Sequence, residues 1–425
     1  MRMRTIALYL LLLATAPVKA QCDPFRYPVI FVHGFLASGD TWSNAFRHFR
    51  LAGYCSQQLY AFDWNTIGGN NKINEQALIE LIDQVRATTG AAQVDMIGHS
   101  AGGGLARKIL ADSLQAQKIR RYIHTGSSKW TSEYTWFRNE RCLNIFSLGD
   151  RVAVNTAGII EGATNITLAV EDHYEVATAP SALNAMYTFL NPVDKGGTPL
   201  NPIVKNAAIA GKAVLLGDNS PMRGAIVRIY VLNKNNGKRI RSDKSIRLKV
   251  AEDGSWGPIS IDTGQPIEME LTPEDSTKRK ISYFFQSFDF DDPLVYLRGI
   301  PESPRMNALL GKIPQKEDQS VLVLYAAKAA MVGGRDSVTV NNIPLCSPPL
   351  TPAARTIITS FVFDDGDGVS SQQLLKQYAF TPFIGGVDVW LPAGEKQVHR
   401  LYYNGKKMNL PGAPSSERIL LAVLK

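Results

Sequence analysis

Six short apolar runs, separated by stretches with helical periodicity, dictate the architecture of residues 28–192. The runs lie at 28–33, 58–63, 94–98, 121–125, 143–148 and 165–170, and apolar residues recur at helical spacing in 73–88, 103–114 and 180–190. Strands alternating with helices predict a mostly parallel sheet with helices on both faces. Strands buried on both sides are almost continuously apolar, as these are. After Asn191 the pattern changes. Asn191-Pro192 and Gly196-Gly197-Thr198-Pro199 are breakers and predict a linker. From Ala210 onward the chain alternates with period two, for example at 225–232, 280–286, 320–325 and 355–363. Helical pattern is scarce there apart from 371–378. The reading is an α/β domain at 21–195 and an all-β region at 205–425, one or two sandwich or barrel modules with a possible split near 345–355.

The first twenty residues read as a secretory leader. Arg2 and Arg4 precede an apolar stretch, 6–16, that is too short to span a bilayer. Val18-Lys19-Ala20 places small residues for cleavage before Gln21. Removal takes three positive charges from a net +8 and leaves about +5. A lipid anchor on Cys22 would want a small residue where Gln21 stands. The expected location is therefore outside the cell or in the periplasm. Hydrophobic residues make up 45% and charged residues 20%, which argues against a disordered chain. The densest basic stretch, 234–241, reads as a hairpin tip, so no nucleic-acid partner is expected. Four cysteines in an exported chain suggest disulfides, and no CxxC pair points to zinc or redox chemistry. Cys22 precedes the first strand and Cys55 the second, and adjacent parallel strands would bring these starts together. Cys22–Cys55 is the favoured pair, with Cys142–Cys346 as a staple between the halves; spacing alone leaves the other two connectivities open.

The chemistry concentrates at Gly98-His99-Ser100-Ala101-Gly102. This G-x-S-x-G pentapeptide lies between a strand and a helix, where a serine on a strained turn is exposed and flanking glycines let the chain pass closely. Val32-His33-Gly34-Phe35 ends the first strand. In acyl transfer two backbone N–H groups must meet the developing oxyanion, and Phe35 and Ala101 are placed for it. Of six histidines, His173 is the expected base, because it follows the last strand of the sheet. His48 comes before the serine, His124 lies inside a strand, His399 lies in the β region, His33 is expected to be structural, and His99 is expected to point away from its neighbour Ser100. Asp150 follows the fifth strand and precedes His173, the order serine, acid, histidine. Its rivals are Glu161, Glu171 and Asp172, the last two too near His173 in the chain.

These motifs resemble those of bacterial and archaeal true lipases and esterases of the α/β-hydrolase fold. Asp253-Gly254-Ser255-Trp256-Gly257-Pro258, Tyr283-Phe284-Phe285 and 294–298 are similar to the C-terminal β domain of archaeal-type two-domain lipases. The resemblance implies an acyl-enzyme mechanism with no cofactor and no metal, a lipid or acyl ester substrate, and transient lipid contact through the β region. Those lipases carry a long helical lid, whereas the gap 63–94 holds little more than one helix. Trp130, Tyr134, Trp136 and Phe137 could rim an acyl pocket or pack against the β region. The shortened lid brings an esterase or a polyester depolymerase into view. A non-catalytic surface-binding protein is disfavoured by the intact serine, acid, histidine and HG elements. Asp364-Asp365-Gly366-Asp367-Gly368 reads as a polar turn, since it lacks the acid that closes a calcium loop, and the sequon at Asn165 falls in an expected core strand.

Overall fold

A computed structural model describes residues 22–425 except 69–70, 133, 193–204, 302, 312 and 395. The expected leader and the breakers at 196–199 lie outside the described residues.

The first half forms a six-stranded sheet from β1 (Val29–Val32), β2 (Leu59–Phe62), β3 (Val94–His99), β4 (Ile119–Thr125), β5 (Cys142–Ser147) and β6 (Thr164–Leu168). The order is β2-β1-β3-β4-β5-β6, and every pairing is parallel. The helices are α1 (Ser43–Leu51), α2 (Asn71–Thr89), α3 (Ala101–Ala111), α4 (Ser113–Ala116), α5 (Glu175–Thr178) and α6 (Pro180–Leu190). Alternation along each strand divides the core between two faces. Val29 and Phe31 join Phe46 and Phe49 of α1 and Leu183 and Met186 of α6. Ile30 and Val32 join Leu78 and Ile82 of α2 and Leu105 and Ile109 of α3. The strand at Asn165 is an edge strand rather than a core one, and the Asn165 amide is taken up by Ile160, Ala163 and Asn144.

The second half is mostly β, in three layers. The middle layer has eight strands, in the order Ile384–Asp388, Thr359–Phe363, Leu322–Ala326, Arg418–Leu424, Lys280–Phe285, Ile267–Thr272, Ile226–Val231, Ile246–Lys249. A three-stranded sheet, Ser255–Asp262, Asn206–Leu215, Asp292–Gly299, shares one core with it through Ile209, Leu297, Tyr283 and Phe361. A four-stranded sheet, Ile343–Pro344, Val338–Val340, Val398–Tyr403, Lys406–Pro411, shares the core on its other side. A boundary near 345–355 would cut the middle sheet, which draws strands from both sides of it. The three-stranded sheet also meets the first half, where Val214, Leu294 and Tyr296 enter the core beneath α1.

Three expectations are corrected. Residues 371–378 form no helix beyond the single turn Lys376–Tyr378. The stretch instead bonds alongside Ile384–Asp388, through Gln372 N–H to Asp388, Asp388 N–H to Gln373 and Leu375 N–H to Gly386, and Gln372 takes φ 58°. Cys22 and Cys55 are bonded, with Cα atoms 4.9 Å apart, but Cys142 and Cys346 are both free thiols. Cys142 is sealed in the core between the six-stranded sheet and α3, whereas Cys346 packs against the four-stranded sheet and contacts Thr351. Finally, the aromatic stretch faces neither a substrate pocket nor the β half. Trp130 packs edge-on against His124, and Tyr134 and Trp136 donate to the Arg107 and Leu110 carbonyls of α3. Within the basic stretch 234–241, Arg239 pairs with Glu268 and Glu270. Among the described residues no helix is long and apolar enough to cross a membrane.

Candidate active site

β3 delivers Ser100 to a turn that only a crowded, glycine-lined backbone permits. Ser100 has φ 52° and ψ −124°, outside the ordinary regions for an L-residue. A Cβ at Gly98 would lie 2.8 Å from Gly103 Cα, and one at Gly102 only 2.3 Å from the His33 carbonyl oxygen. The turn is pinned by Ser100 N–H donating to Thr125 O at 3.0 Å and Ser127 Oγ donating to Ser100 O at 2.8 Å. Such strain persists only where the surroundings over-determine it.

The loops after β5 and β6 bring Asp150 and His173 to this serine. His173 Nε2 is 2.9 Å from Ser100 Oγ, and His173 Nδ1 is 2.8 Å from Asp150 Oδ2. The consistent proton arrangement has Nδ1–H donating to the carboxylate and the serine hydroxyl donating to Nε2. Asp150 Oδ1 accepts from the Val152 and Ala153 N–H groups, both at 2.9 Å. Burial alone would raise the Asp150 carboxyl, but the His173 hydrogen bond and charge and these two N–H groups outweigh it and hold it below the usual range. Glu161, Glu171 and Asp172 are not in this chain of bonds; Glu171 holds Ser181, and Asp172 turns away to other partners.

The HG loop closes the other side. A Cβ on Gly34 would lie 3.1 Å from Ser100 Cβ, so the loop touches the serine. His33 Nδ1–H donates to the Gly34 carbonyl at 2.9 Å. In a trans peptide C=O and N–H point opposite ways, so this bond also sets the direction of the Phe35 N–H. Burial keeps His33 below its usual pKa. Ala101 follows Ser100 as the first residue of α3, where free N–H groups favour negative charge.

Several contacts with a hand in this geometry join residues whose spacing in the sequence carries no signal. His99 Nε2–H donates to the His173 carbonyl at 2.7 Å, and burial with the neighbouring His173 pushes its pKa down to about 3. Asn219, from the β half, has φ 57°; its side chain bonds Ser38 Oγ at 2.5 Å and the Ala37 and Trp64 carbonyls at 3.0 and 2.9 Å, clamping the HG loop. Phe383, also from the β half, stacks on the His173 ring at 6.0 Å and lies 6.4 Å from Phe35. Behind Phe35 is an apolar slot of about 90 Å³, walled by Leu36, Tyr174, Ile300, Phe361 and Phe383. It shares Ile281, Gly299, Ile300 and Ile419 with a wider cleft of about 760 Å³. His48, His124 and His399 lie outside these contacts. Asp364, Asp365 and Asp367 have oxygens within 4.8 Å of one another, but the buried Asp364 accepts from the Gly366, Gly368 and Val369 N–H groups, as a tight turn does.

The class 2 lipase family model matches residues 26–122, and the lipase C-terminal domain model matches 205–300. Two separate stretches of the chain are thus similar to lipase domain models. A further C-terminal domain model covers 311–418. The class 2 lipase match includes Phe35, Ser100 and Ala101 and stops before Asp150 and His173. A triacylglycerol lipase of Burkholderia plantarii is 35% identical over 111 residues, 24% of this chain and 30% of its own length. An abhydrolase domain-containing protein of Caenorhabditis elegans is 32% identical over 89 residues, 19% of each chain. The chain thus spans under a third of the curated relatives it matches. Among solved structures, Bacillus licheniformis lipase BlEst2 is 14% identical with a TM-score of 0.31, covering 40% of this chain and 94% of that one.

Proposed function

We propose that the chain is a serine hydrolase of carboxylic esters, a lipase or carboxylesterase exported from the cell. The observation that carries this reading is the continuous hydrogen-bonded line from Ser100 Oγ through His173 to Asp150, at 2.9 and 2.8 Å. Ser100 attacks the ester carbonyl as His173 Nε2 takes its proton, and the Phe35 and Ala101 N–H groups receive the oxyanion. His173 then gives the proton to the leaving alcohol, leaving an acyl-enzyme. Water enters, His173 takes a proton from it, and attack releases the acid and restores Ser100. Asp150 remains ionised throughout and holds the imidazole tautomer. No step requires a cofactor or a metal. The apolar slot behind Phe35 supports an apolar acyl group, and its union with a wider cleft suits long acyl chains or a polyester. The Cys22–Cys55 bond agrees with export, since disulfides persist in oxidising compartments.

The experiment is a p-nitrophenyl ester series combined with labelling by a fluorophosphonate probe. Label on Ser100 and hydrolysis of apolar acyl esters are expected. Ser100→Ala lowers turnover by about 10⁶ with the fold intact by circular dichroism, and His173→Ala costs about as much. Appreciable hydrolysis by a folded Ser100→Ala protein would end the assignment.

A further inference from the structure

The loop that carries His173 is held from the other half of the chain. Asp172 divides its carboxylate between two tasks. Oδ1 accepts from the Tyr174 and Glu175 N–H groups at 2.8 and 2.9 Å, capping α5 immediately after the histidine. Oδ2 accepts from the Ala330 N–H at 2.9 Å and from Arg335 Nη1 at 3.3 Å. Arg335 Nη1 also reaches Glu175 Oε2 at 3.1 Å, its Nε reaches Asp336 at 3.0 Å, and its Nη2 donates to the Ala330 carbonyl. One turn further on, Thr178 Oγ1 donates to the Lys328 carbonyl at 2.5 Å.

The arrangement is electrostatically demanding. Asp172 and Glu175 are like-charged neighbours, linked by Asp172 N–H to Glu175 Oε2 at 2.9 Å. Arg335 is the cation that bridges them. Asp172 is only 7% exposed, so water does not readily replace a lost partner. A displaced Asp172 moves the next residue, whose ring must meet both Ser100 and Asp150.

We propose that Arg335, with the segment 328–336, is a positioning element for His173, so that the C-terminal module sets the turnover of chemistry performed in the hydrolase half. The inference rests on the triad reading above. It differs from a role in substrate binding, because its effect acts through the histidine and is blind to acyl length.

The test compares Arg335→Gln and Arg335→Lys in the full chain, on p-nitrophenyl butyrate and laurate, with Ser100→Ala alongside. Arg239→Gln is the structural control, since it loses a comparable ion pair with Glu268 away from the site. Misplacement of a reacting group predicts that Arg335→Gln lowers kcat about tenfold on both esters with KM little changed. Fluorophosphonate labelling slows in step, Lys restores part of the rate, and Arg239→Gln keeps its kcat. Unchanged kcat in Arg335→Gln, a loss confined to laurate, or an equal loss in Arg239→Gln overturns the inference. If Arg335→Gln does not fold, Asp172→Asn is read the same way, because an amide in place of the carboxylate weakens the Arg335 contact. Activity retained by Ser100→Ala removes the triad reading and this inference with it. Full turnover in Arg335→Gln beside an inactive Ser100→Ala removes the inference alone.

Discussion

Ser100 keeps its backbone angles because nothing larger than hydrogen fits at the two glycines around it. The consequence is a sharp intolerance at Gly102, where a methyl group would sit 2.3 Å from the His33 carbonyl oxygen and 2.5 Å from that of Val32. Gly102→Ala must therefore push β1 and α3 apart, and with them the Gly34–Phe35 peptide and the serine. Displacement of this size predicts a loss of about 100-fold in kcat/KM, read from initial rates on a short soluble ester. Gly104 is the comparison, because a Cβ there meets nothing within 4 Å and Gly104→Ala should retain activity. These residues were legible in the sequence because a nucleophile turn is local, its requirements falling within five positions. His99 was legible only as a neighbour of Ser100. Its bond to the His173 carbonyl spans 74 positions and leaves no spacing to read.

At the scale of elements, two loops of the site, the HG loop and the one that carries His173, are held from the β half as well as from the six-stranded sheet. The HG loop leans on Asn219, whose side chain satisfies Ser38, Ala37 and Trp64 at once. Asn219→Ala removes all three bonds and should lower kcat by roughly tenfold or more, since an oxyanion donor works only when fixed in place. Short and long esters would suffer alike, which a chain-length series checks. The strands themselves were legible, because apolar runs bounded by breakers mark β1 to β6 to within a few residues. The misreadings have physical causes. The stretch 371–378 has helical spacing, but backbone bonding along Ile384–Asp388 overrides local preference. The aromatic residues at 130–137 were apolar enough to suggest a pocket, yet their polar edges reach carbonyls of α3 and their rings fill its flank. Pairing the remaining cysteines by parity failed because Cys142 and Cys346 belong to different cores. Unreduced, denatured protein should therefore titrate two thiols with Ellman's reagent. The native protein should give at most one, as Cys142 is wholly buried and burial raises its thiol pKa. A count of zero would mean that the second bridge exists after all.

The whole molecule carries buried histidines whose protonation opposes folding. Burial pushes His99 down to about 3, and His124 and His399 down to about 4, from an ordinary value of 6.5. Between those values the unfolded chain binds protons that the native state refuses, so stability falls as the pH drops below about 6.5. Each such group contributes a slope of up to about 1.4 kcal/mol per pH unit. Thermal unfolding at constant ionic strength should show Tm declining from pH 7 towards pH 4, and a flat profile would contradict the buried neutral state. The candidate site then draws on both halves, because the β region supplies Asn219 to one loop, Arg335 to another and Phe383 to the face of His173. The middle sheet adds a matter of timing. Arg418–Leu424 lies between Lys280–Phe285 and Leu322–Ala326, parallel to both, so a central strand of the layer is made after the two that it joins. Until it arrives the eight-stranded layer remains two unjoined pieces, and Phe383 and Arg335 have no settled platform. The serine is thus translated early and equipped late, and a chain still being made holds the surroundings of its candidate site in pieces until Arg418–Leu424 has been threaded into the middle.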